Sequence, residues 1–321
     1  MCAWRSFHLP LLLLAFLILS CDSSTTASTL QAISTAVPTA TITPTPTALP
    51  TPYQSNTYRA PGRYFNCIPG EPVQRCFQVH VPASYHDDQP TPLVFNLHGL
   101  GSNFQQQESF SDMAFKAEQE GFIAVHPQAG GGIWNVEAGN IGLFGPVDIL
   151  FFDALITHLR ERLNVDPQRI YATGFSNGGG MAHRLACDLA ERLAAVAGVS
   201  GAYQQAQPCE PGRSIPILGV HGMADEVVPF LGRSHDILGW SEDWAERNRC
   251  LSGPDTFFEA ERVLGRRWGD CEGDAVVELY TIEGSGHIWP GSSFFIELEL
   301  STRDLVAADV IWDFFIAHPM P

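Results

Sequence analysis

A strand, a sharp turn and a helix follow one another at residues 169–190, and the turn is the most constrained part of the sequence. Arg169–Thr173 has the pattern of a strand, 179–190 has that of a helix, and Gly174-Phe-Ser-Asn-Gly178 separates them. Glycine stands two places before and two places after Ser176, where side chains would collide with neighbouring backbone. The segment therefore predicts a strained turn that lifts the Ser176 hydroxyl above a sheet, although a surface serine in a glycine-rich turn is the alternative.

Strand and helix patterns alternate along most of the remaining chain. Strand patterns occupy 77–82, 92–97, 122–125, 193–199, 215–220 and 276–282, and helical patterns occupy 104–120, 147–163 and 302–317. Such alternation predicts an α/β fold, in which a mostly parallel sheet carries helices on both faces. We expect residues 53–321 to form it as a single domain, because α/β folds often exceed 200 residues.

The first 52 residues have the composition of targeting and linker segments. Residues 1–21 contain Arg5 and then an apolar run that is too short to span a bilayer, which indicates a signal peptide. The run ends in Leu-Ser-Cys21, which resembles a lipoprotein cleavage box that would make Cys21 the lipidated residue, with ordinary secretion as the alternative. In residues 22–52, 10 residues are Thr and 5 are Pro, so we expect a disordered linker or stalk.

The charge balance excludes several partners. Asp and Glu number 35 against 18 Lys and Arg, which gives a formal net charge of −17. A phosphate backbone would repel such a chain, so we expect no nucleic-acid binding. A basic patch for anionic lipid is equally disfavoured, which leaves Cys21 as the one expected membrane attachment. Because no Cys/His cluster has zinc-site spacing, we also expect no metal and no cofactor.

Six cysteines remain after Cys2 and Cys21 are set aside, and an even number in an exported chain indicates disulfides. Six cysteines allow fifteen full pairings, and the sequence alone does not choose among them. The simplest choice joins neighbours in the chain: Cys67–Cys76, Cys187–Cys209 and Cys250–Cys271.

A serine nucleophile needs a base and an acid that orients the base, and in this class of fold they follow the serine in the order acid, then histidine. Asp225 lies just after the strand at 215–220, where parallel sheets place active residues, and Glu226 is its adjacent rival. His287 follows the last strand in Gly284-Ser-Gly-His287, with His235 and His318 as the other late candidates. We therefore predict Ser176, Asp225 and His287 as the catalytic residues.

Two backbone N–H groups are the candidates for stabilising the oxyanion of a tetrahedral intermediate. The amide of Asn177 begins the helix after Ser176, and the amide of Leu100 lies in His98-Gly-Leu-Gly101, after an earlier strand. We expect His98 to orient that loop, although a simple tight turn is the alternative. Candidates for lining the substrate cleft are His98, Trp134, Asn135 and Trp289.

Taken together, these segments resemble the secreted polyhydroxybutyrate-depolymerase-like and feruloyl-esterase-like serine esterases of the α/β-hydrolase fold. The matching segments are LHGLGSN at 97–103, WN at 134–135, NVDPQRIYATGFSNGGGMAHRLACD at 164–188, HGMADEVVPF at 221–230, WAERNRC at 244–250 and VELYTIEGSGHIWPG at 277–291. The resemblance implies the triad Ser176, Asp225 and His287, and it suggests the pairings 187–209 and 250–271. The family often has adjacent cysteines after the WN pair, but residues 136–145 contain none, so substrate choice is not carried over.

The expected function is therefore that of an exported, monomeric serine ester hydrolase at the cell surface, anchored through lipid on Cys21. The expected substrates are feruloyl or acetyl esters of plant cell-wall polysaccharide such as xylan. Poly(3-hydroxybutyrate) or another short-chain polyester is the alternative substrate. A peptidase and a non-catalytic surface-binding protein are the alternatives of another class, and the latter would be expected to have lost a triad residue.

Overall fold

The computed structural model describes residue 58 and residues 60–69, 74–136, 147–203, 209–232, 236–294 and 303–321. The strands are β1 (Gly62–Ile68), β2 (Arg75–Val81), β3 (Thr91–Leu97), β4 (Ile123–Pro127), β5 (Val165–Phe175), β6 (Ala195–Val199), β7 (Ile217–Gly222), β8 (Ser252–Glu259), β9 (Val263–Gly269) and β10 (Val277–Ile282). The α-helices are α1 (Phe104–Ser111), α2 (Met113–Glu120), α3 (Val147–Arg160), α4 (Asn177–Asp188), α5 (Ile237–Arg247) and α6 (Ala307–Ala317). The predicted signal peptide, Cys21 and the linker at 22–52 lie outside the described residues.

Within the described part of the chain, the strands form one sheet in the order β1-β2-β4-β3-β5-β6-β7-β10-β9-β8. The central strands β4, β3, β5, β6, β7 and β10 are parallel, and an antiparallel pair of strands extends the sheet at each end. This confirms the predicted α/β fold with a mostly parallel sheet. The carboxyl ends of the parallel strands share one edge, so the loops that follow them meet there.

Apolar side chains fill both faces of the sheet. On one face, α3, α4 and α5 contribute buried residues such as Phe152, Met181 and Trp240. On the other face, α2 contributes buried Met113 and Ala117, and α6 brings buried rings onto the strands, where Phe315 stacks on Tyr171 of β5 with ring centroids 4.6 Å apart. None of the described helices combines the length and apolar character that a membrane crossing requires.

The structure differs from the predicted elements in one helix and in four elements that were not predicted. The helix expected at 104–120 is interrupted at Asp112, whose left-handed backbone (φ 56°) ends α1 and begins α2. The strands β1, β8 and β9 and the helix α5 were not predicted. The side chains of β8 are almost all exposed, so its sequence carries no apolar alternation that would indicate a strand.

Three disulfides join the six cysteines of the folded part: Cys67–Cys76, Cys187–Cys209 and Cys250–Cys271. They are the pairings of chain-order neighbours that the sequence suggested. The first lies between directly paired positions of β1 and β2. Disulfides of this kind are typical of exported proteins and fit an extracellular location.

Candidate active site

Ser176 lies between β5 and α4 in a backbone conformation that is unusual for a residue with a side chain. Its φ is 55° and its ψ is −119°, and such values persist only where the surroundings enforce them. The Ser176 N–H donates to the Val199 carbonyl (2.9 Å), and the Ser176 carbonyl accepts from the N–H groups of Gly180 and Ala202 (both 3.0 Å). These bonds hold the turn on β6 and on the start of α4.

The glycines on either side of Ser176 are required by close backbone contacts. A Cβ on Gly174 would overlap the carbonyl of Gly178, and a Cβ on Gly178 would overlap the carbonyls at the end of β3. The turn therefore packs directly on the loop that begins at His98. In that loop a Cβ on Gly99 would lie 3.5 Å from the Cβ of Ser176, so the loop runs beside the serine.

The loops after β7 and β10 join the predicted acid to the predicted base. His287 Nδ1 lies 2.7 Å from Asp225 Oδ2, and the other carboxylate oxygen accepts from the N–H groups of Val227 (2.9 Å) and Val228 (2.8 Å). A Cβ on Gly222 would overlap the carbonyls of the loop that carries His287, so the two loops are in direct contact. Because a carboxylate accepts hydrogen bonds, the Nδ1 of His287 carries the proton.

Burial of Asp225 would by itself raise the pKa of its carboxyl group. The hydrogen bonds that Asp225 accepts from His287 and from the N–H group of Val228 outweigh burial. The net result is a lowered pKa for Asp225. This carboxylate is therefore ionised at neutral pH and is fit to orient an imidazole.

The alternatives that the sequence left open lie elsewhere. Glu226 is exposed, and it is Asp225 that meets the imidazole of His287. His318 lies at the end of α6, where its Nδ1 is 2.7 Å from the carbonyl of Phe314. His235 falls outside the described residues.

Phe175, which precedes Ser176, brings the serine turn and the base together. Its ring packs against the imidazole of His287 with centroids 4.8 Å apart. No hydrogen bond joins Ser176 Oγ to His287 in the described part of the chain, and such bonds commonly tighten only when substrate is present. This contact of Phe175 was not predicted, although a large ring between a strand and the predicted nucleophile was a signal.

The two predicted oxyanion donors flank the serine. Asn177 is the first residue of α4, and the N–H groups of a helix's first turn have no acceptor within the helix. Leu100 follows Gly99 in the loop beside Ser176, and its side chain is exposed. Asn177 therefore follows Ser176 directly, and Leu100 follows a residue that lies beside it; their role as oxyanion donors stays a prediction.

His98 is fully buried and holds two loops together. Its Nδ1 is 2.8 Å from the Gly99 carbonyl, and its Nε2 accepts from the Ala129 N–H at 3.1 Å. Burial lowers the pKa of His98, with smaller opposing contributions from the Gly99 carbonyl and from Asp148. The neutral ring therefore donates from Nδ1 and accepts at Nε2, and the carbonyl of His98 accepts from the indole N–H of Trp134 (2.9 Å).

Trp134 and Asn135 belong to the same buried arrangement. The side-chain amide of Asn177 accepts from the Trp134 N–H (2.8 Å) and donates to the Trp134 carbonyl (3.1 Å). The Asn135 N–H donates to Asp148, which also forms a buried ion pair with Arg75 (2.6 Å). His98 and Trp134 therefore position the loops and do not present their rings at an open cleft.

The ion pair of Arg75 and Asp148 was also not predicted from the sequence. An arginine at the start of an apolar strand and an acid in the first turn of a helix were the available signals. Trp289, the remaining cleft candidate, is buried, and its ring centroid lies 6.3 Å from that of Phe110. Among the described residues, no group of three or more His, Cys, Asp or Glu side chains is placed to hold a metal ion.

Comparison with known proteins identifies the family. A "Probable feruloyl esterase C" of Aspergillus niger is 32% identical over 251 residues, which cover 76% of this chain and 84% of that protein. This chain belongs to the feruloyl-esterase-like family of α/β-hydrolases. Residues 149–236 also match the family model described as phospholipase/carboxylesterase.

Other members of the family are larger. The "Feruloyl esterase B" of Piromyces equi is 30% identical over 235 residues, which cover 65% of this chain but 42% of the fungal protein. The chain thus spans less than half the length of that relative. Among solved structures, the acetyl xylan esterase from Aspergillus awamori superposes with a TM-score of 0.57 at 18% identity, over 78% of this chain and 98% of that one. At that identity the likeness shows the α/β-hydrolase fold.

Proposed function

We propose that this chain is an exported carboxylic ester hydrolase that acts on esters of plant cell-wall polysaccharide through Ser176, His287 and Asp225. The observation that carries the proposal is the 2.7 Å contact between His287 and Asp225, formed by loops that meet at the edge of the sheet where Ser176 is raised. The names of the relatives support the substrate class, with feruloyl esters as the first candidate.

In the proposed reaction, His287 Nε2 removes the proton of the Ser176 hydroxyl while the serine oxygen attacks the ester carbonyl. The amides of Asn177 and Leu100 stabilise the resulting oxyanion. The intermediate collapses to an acyl-enzyme as His287 returns the proton to the leaving alcohol, and water then releases the acid by the same route. Asp225 keeps the Nδ1 proton in place and stabilises the imidazolium.

The loops that His98 and Asp148 hold are part of this proposal, since they fix the donors before substrate binds. Preorganised donors are effective because they need no rearrangement when charge develops. Asn177 contributes in two ways. Its side chain is hydrogen-bonded to the loop at Trp134, and its backbone N–H belongs to the first turn of the helix that follows Ser176.

A substrate panel tests the function. Methyl ferulate, acetylated xylan, poly(3-hydroxybutyrate), p-nitrophenyl acetate and a peptide amide should be offered to the wild type and to Ser176→Ala. We expect the cell-wall esters to be cleaved by the wild type and to be left by the variant, because the hydroxyl is the attacking group. If the polyester or the peptide is cleaved faster than the cell-wall esters, the proposed substrate class is wrong. If both proteins turn over the substrates equally, Ser176 is not the nucleophile.

We propose further that residues 1–21 direct export and that lipid on Cys21 holds the catalytic domain, residues 53–321, at the cell surface through the linker at 22–52. The pattern Leu-Ser-Cys21 supports lipidation, and the disulfides support an extracellular location. The mass of the mature N-terminal peptide distinguishes a lipidated Cys21 from a free terminus further along the chain.

A further inference from the structure

His221 lies near the end of β7, four residues before the proposed acid, and its side chain is fully buried. Its Nε2 lies 2.8 Å from the carbonyl oxygen of Val228. Because a carbonyl only accepts hydrogen bonds, the Nε2 of His221 carries a proton and is the donor. The ring therefore ties the end of β7 to the far end of the loop that contains Asp225.

Val228 connects His221 to the carboxylate of Asp225. The N–H of Val228 donates to Asp225 Oδ1 (2.8 Å), and the N–H of Val227 donates to the same oxygen (2.9 Å). With Oδ1 held by two backbone donors, Oδ2 is the oxygen that faces His287, at 2.7 Å. The direction of the contact between Asp225 and His287 thus depends on where the loop holds Val228.

The imidazole of His221 also borders the carboxylate itself. Its Nε2 lies 3.5 Å from Asp225 Oδ2, and neither side chain is exposed. Burial lowers the pKa of His221, and the Val228 carbonyl and Asp225 raise it by less. The ring is therefore neutral, and the charge of Asp225 is left to stabilise the imidazole of His287.

We propose that His221 is a positioning residue: its hydrogen bond to Val228 holds the loop that directs Asp225 Oδ2 to His287. The proposal rests on the proposed function, in which Asp225 is the acid, and it adds a buried residue that acts through that acid. Such a residue affects the rate because a small displacement of a catalytic side chain slows the reaction.

Three substitutions of His221 separate the N–H donor from the buried ring. His221→Leu removes the donor and keeps an apolar side chain of similar size. His221→Gln places an amide N–H near the former Nε2, whereas His221→Asn has the same amide on a side chain that is one carbon shorter and does not reach Val228. We expect activity to be lost in His221→Leu and His221→Asn and to be largely kept in His221→Gln. His221→Asn takes the place of His221→Leu if the leucine variant does not fold.

Hydrolysis of p-nitrophenyl acetate measures the loss. For His221→Leu and His221→Asn, we expect kcat to fall by roughly 10- to 100-fold with little change in KM, because Asp225 and His287 act on the transition state and do not hold the substrate. An equal fall of kcat in His221→Gln would overturn the proposal, because the ring and not its N–H would then be what the site requires.

His126→Leu is the matched control. His126 lies on β4, is also fully buried, and neither of its ring nitrogens has a hydrogen-bond partner in the described part of the chain. The strands β3, β5 and β6 lie between β4 and β7 in the sheet, so this variant loses a buried imidazole far from the loop of Asp225. We expect its kcat to match that of the wild type. An equal kcat in His126→Leu and His221→Leu would overturn the proposal.

The proton between His287 and Asp225 provides a measurement that needs no substrate. Hydrogen bonds to an ionised acceptor are short and strong, so the Nδ1–H of His287 should give a separate downfield ¹H NMR signal that is absent from His287→Gln. We expect the signal to be weakened or moved upfield in His221→Leu and His221→Asn, and unchanged in His221→Gln and His126→Leu. That result supports the proposal even if the wild type hydrolyses none of the esters. An unchanged signal in both His221→Leu and His221→Asn contradicts it even if every ester is cleaved.

Discussion

His98 and His287 both lie in loops that follow parallel strands at the same edge of the sheet, yet their rings have opposite environments. His98 is fully buried, and both of its nitrogens bond to the loops around it. His287 is partly exposed, and its Nδ1 faces a carboxylate. No described residue forms a hydrogen bond with the Nε2 of His287, so that nitrogen is left for proton transfer.

The difference shows that the partner of Nδ1 decides what a histidine at this edge can do. A carbonyl partner holds a neutral ring in one tautomer, whereas a carboxylate also stabilises the charged imidazolium. His221 is intermediate, because its Nε2 lies 2.8 Å from the Val228 carbonyl and 3.5 Å from Asp225 Oδ2. Burial lowers the pKa of His221, so it stays neutral beside the acid.

Removal of the base should have the largest effect. We expect His287→Ala to lower kcat for methyl ferulate by roughly 10⁴- to 10⁶-fold, since the residues of a triad act as a unit. The unfolding midpoint should stay close to that of the wild type because the ring is partly exposed. Steady-state kinetics and thermal unfolding are the measurements. Retention of more than a tenth of the rate would rule out His287 as the base.

Replacement of the acid should have the next largest effect. Asp225→Asn keeps the size of the side chain and removes the charge that fixes the imidazole, so we expect kcat to fall by roughly 10²- to 10⁴-fold. Glu226→Gln is the matched control, and it should keep the wild-type kcat because Glu226 is exposed. If Glu226→Gln is the damaging change, the acid has been assigned to the wrong residue.

Removal of the loop histidine should act mainly on stability. His98→Ala leaves the Ala129 N–H without its acceptor in a buried position, so the free energy of unfolding should fall by about 1–3 kcal/mol. Denaturant unfolding measures it. If His98→Ala is as stable as the wild type but loses as much activity as His287→Ala, the structural role assigned to His98 is wrong.

A third histidine extends the comparison to pH. His183 on α4 is fully buried between Tyr203 and Trp240, and neither ring nitrogen has a partner among the described residues. Burial lowers its pKa from 6.5 to about 3. The unfolded chain therefore binds the extra proton first, and stability that is complete above pH 6.5 is lost as the pH falls toward about 3.

His183→Leu should consequently make the free energy of unfolding less sensitive to acid. The slope between pH 6 and pH 4 should decrease by up to about 1.4 kcal/mol per pH unit, the value for one proton. Denaturant unfolding at several pH values provides the slopes of both proteins. Parallel curves for the variant and the wild type would show that His183 does not contribute to acid instability.

The centre of the fold could be predicted because its strands are buried on both faces and read as continuous apolar runs. The strands at the edges could not be predicted, because β8 is exposed and depends on its pairing with β9.

Helix α5 also could not be predicted from an apolar pattern. Asp236 caps it by accepting from the Leu238 N–H, and the two tryptophans it buries belong to a mixed sequence with glycine and acids.

The motif residues of the site could be predicted from their order and spacing. The position after the strand favoured Asp225, but the sequence left Glu226 as a rival, because adjacent residues differ in burial only after the chain folds. It also could not reveal that His98 and Trp134 are buried, since their contacts join segments that are distant in the chain.

Ser176 is proposed as the nucleophile that His287 and Asp225 activate, and chemical labelling tests this directly. A fluorophosphonate phosphonylates an activated serine, as the serine oxygen bonds to phosphorus and fluoride leaves, and trypsin would place Ser176 in the peptide 170–184. Mass spectrometry should show a single adduct at Ser176 in the wild type, much slower labelling in His287→Ala, and none in Ser176→Ala. An adduct on another residue would contradict Ser176 as the nucleophile, and labelling of the wild type and of His287→Ala at equal rates would contradict its activation by His287.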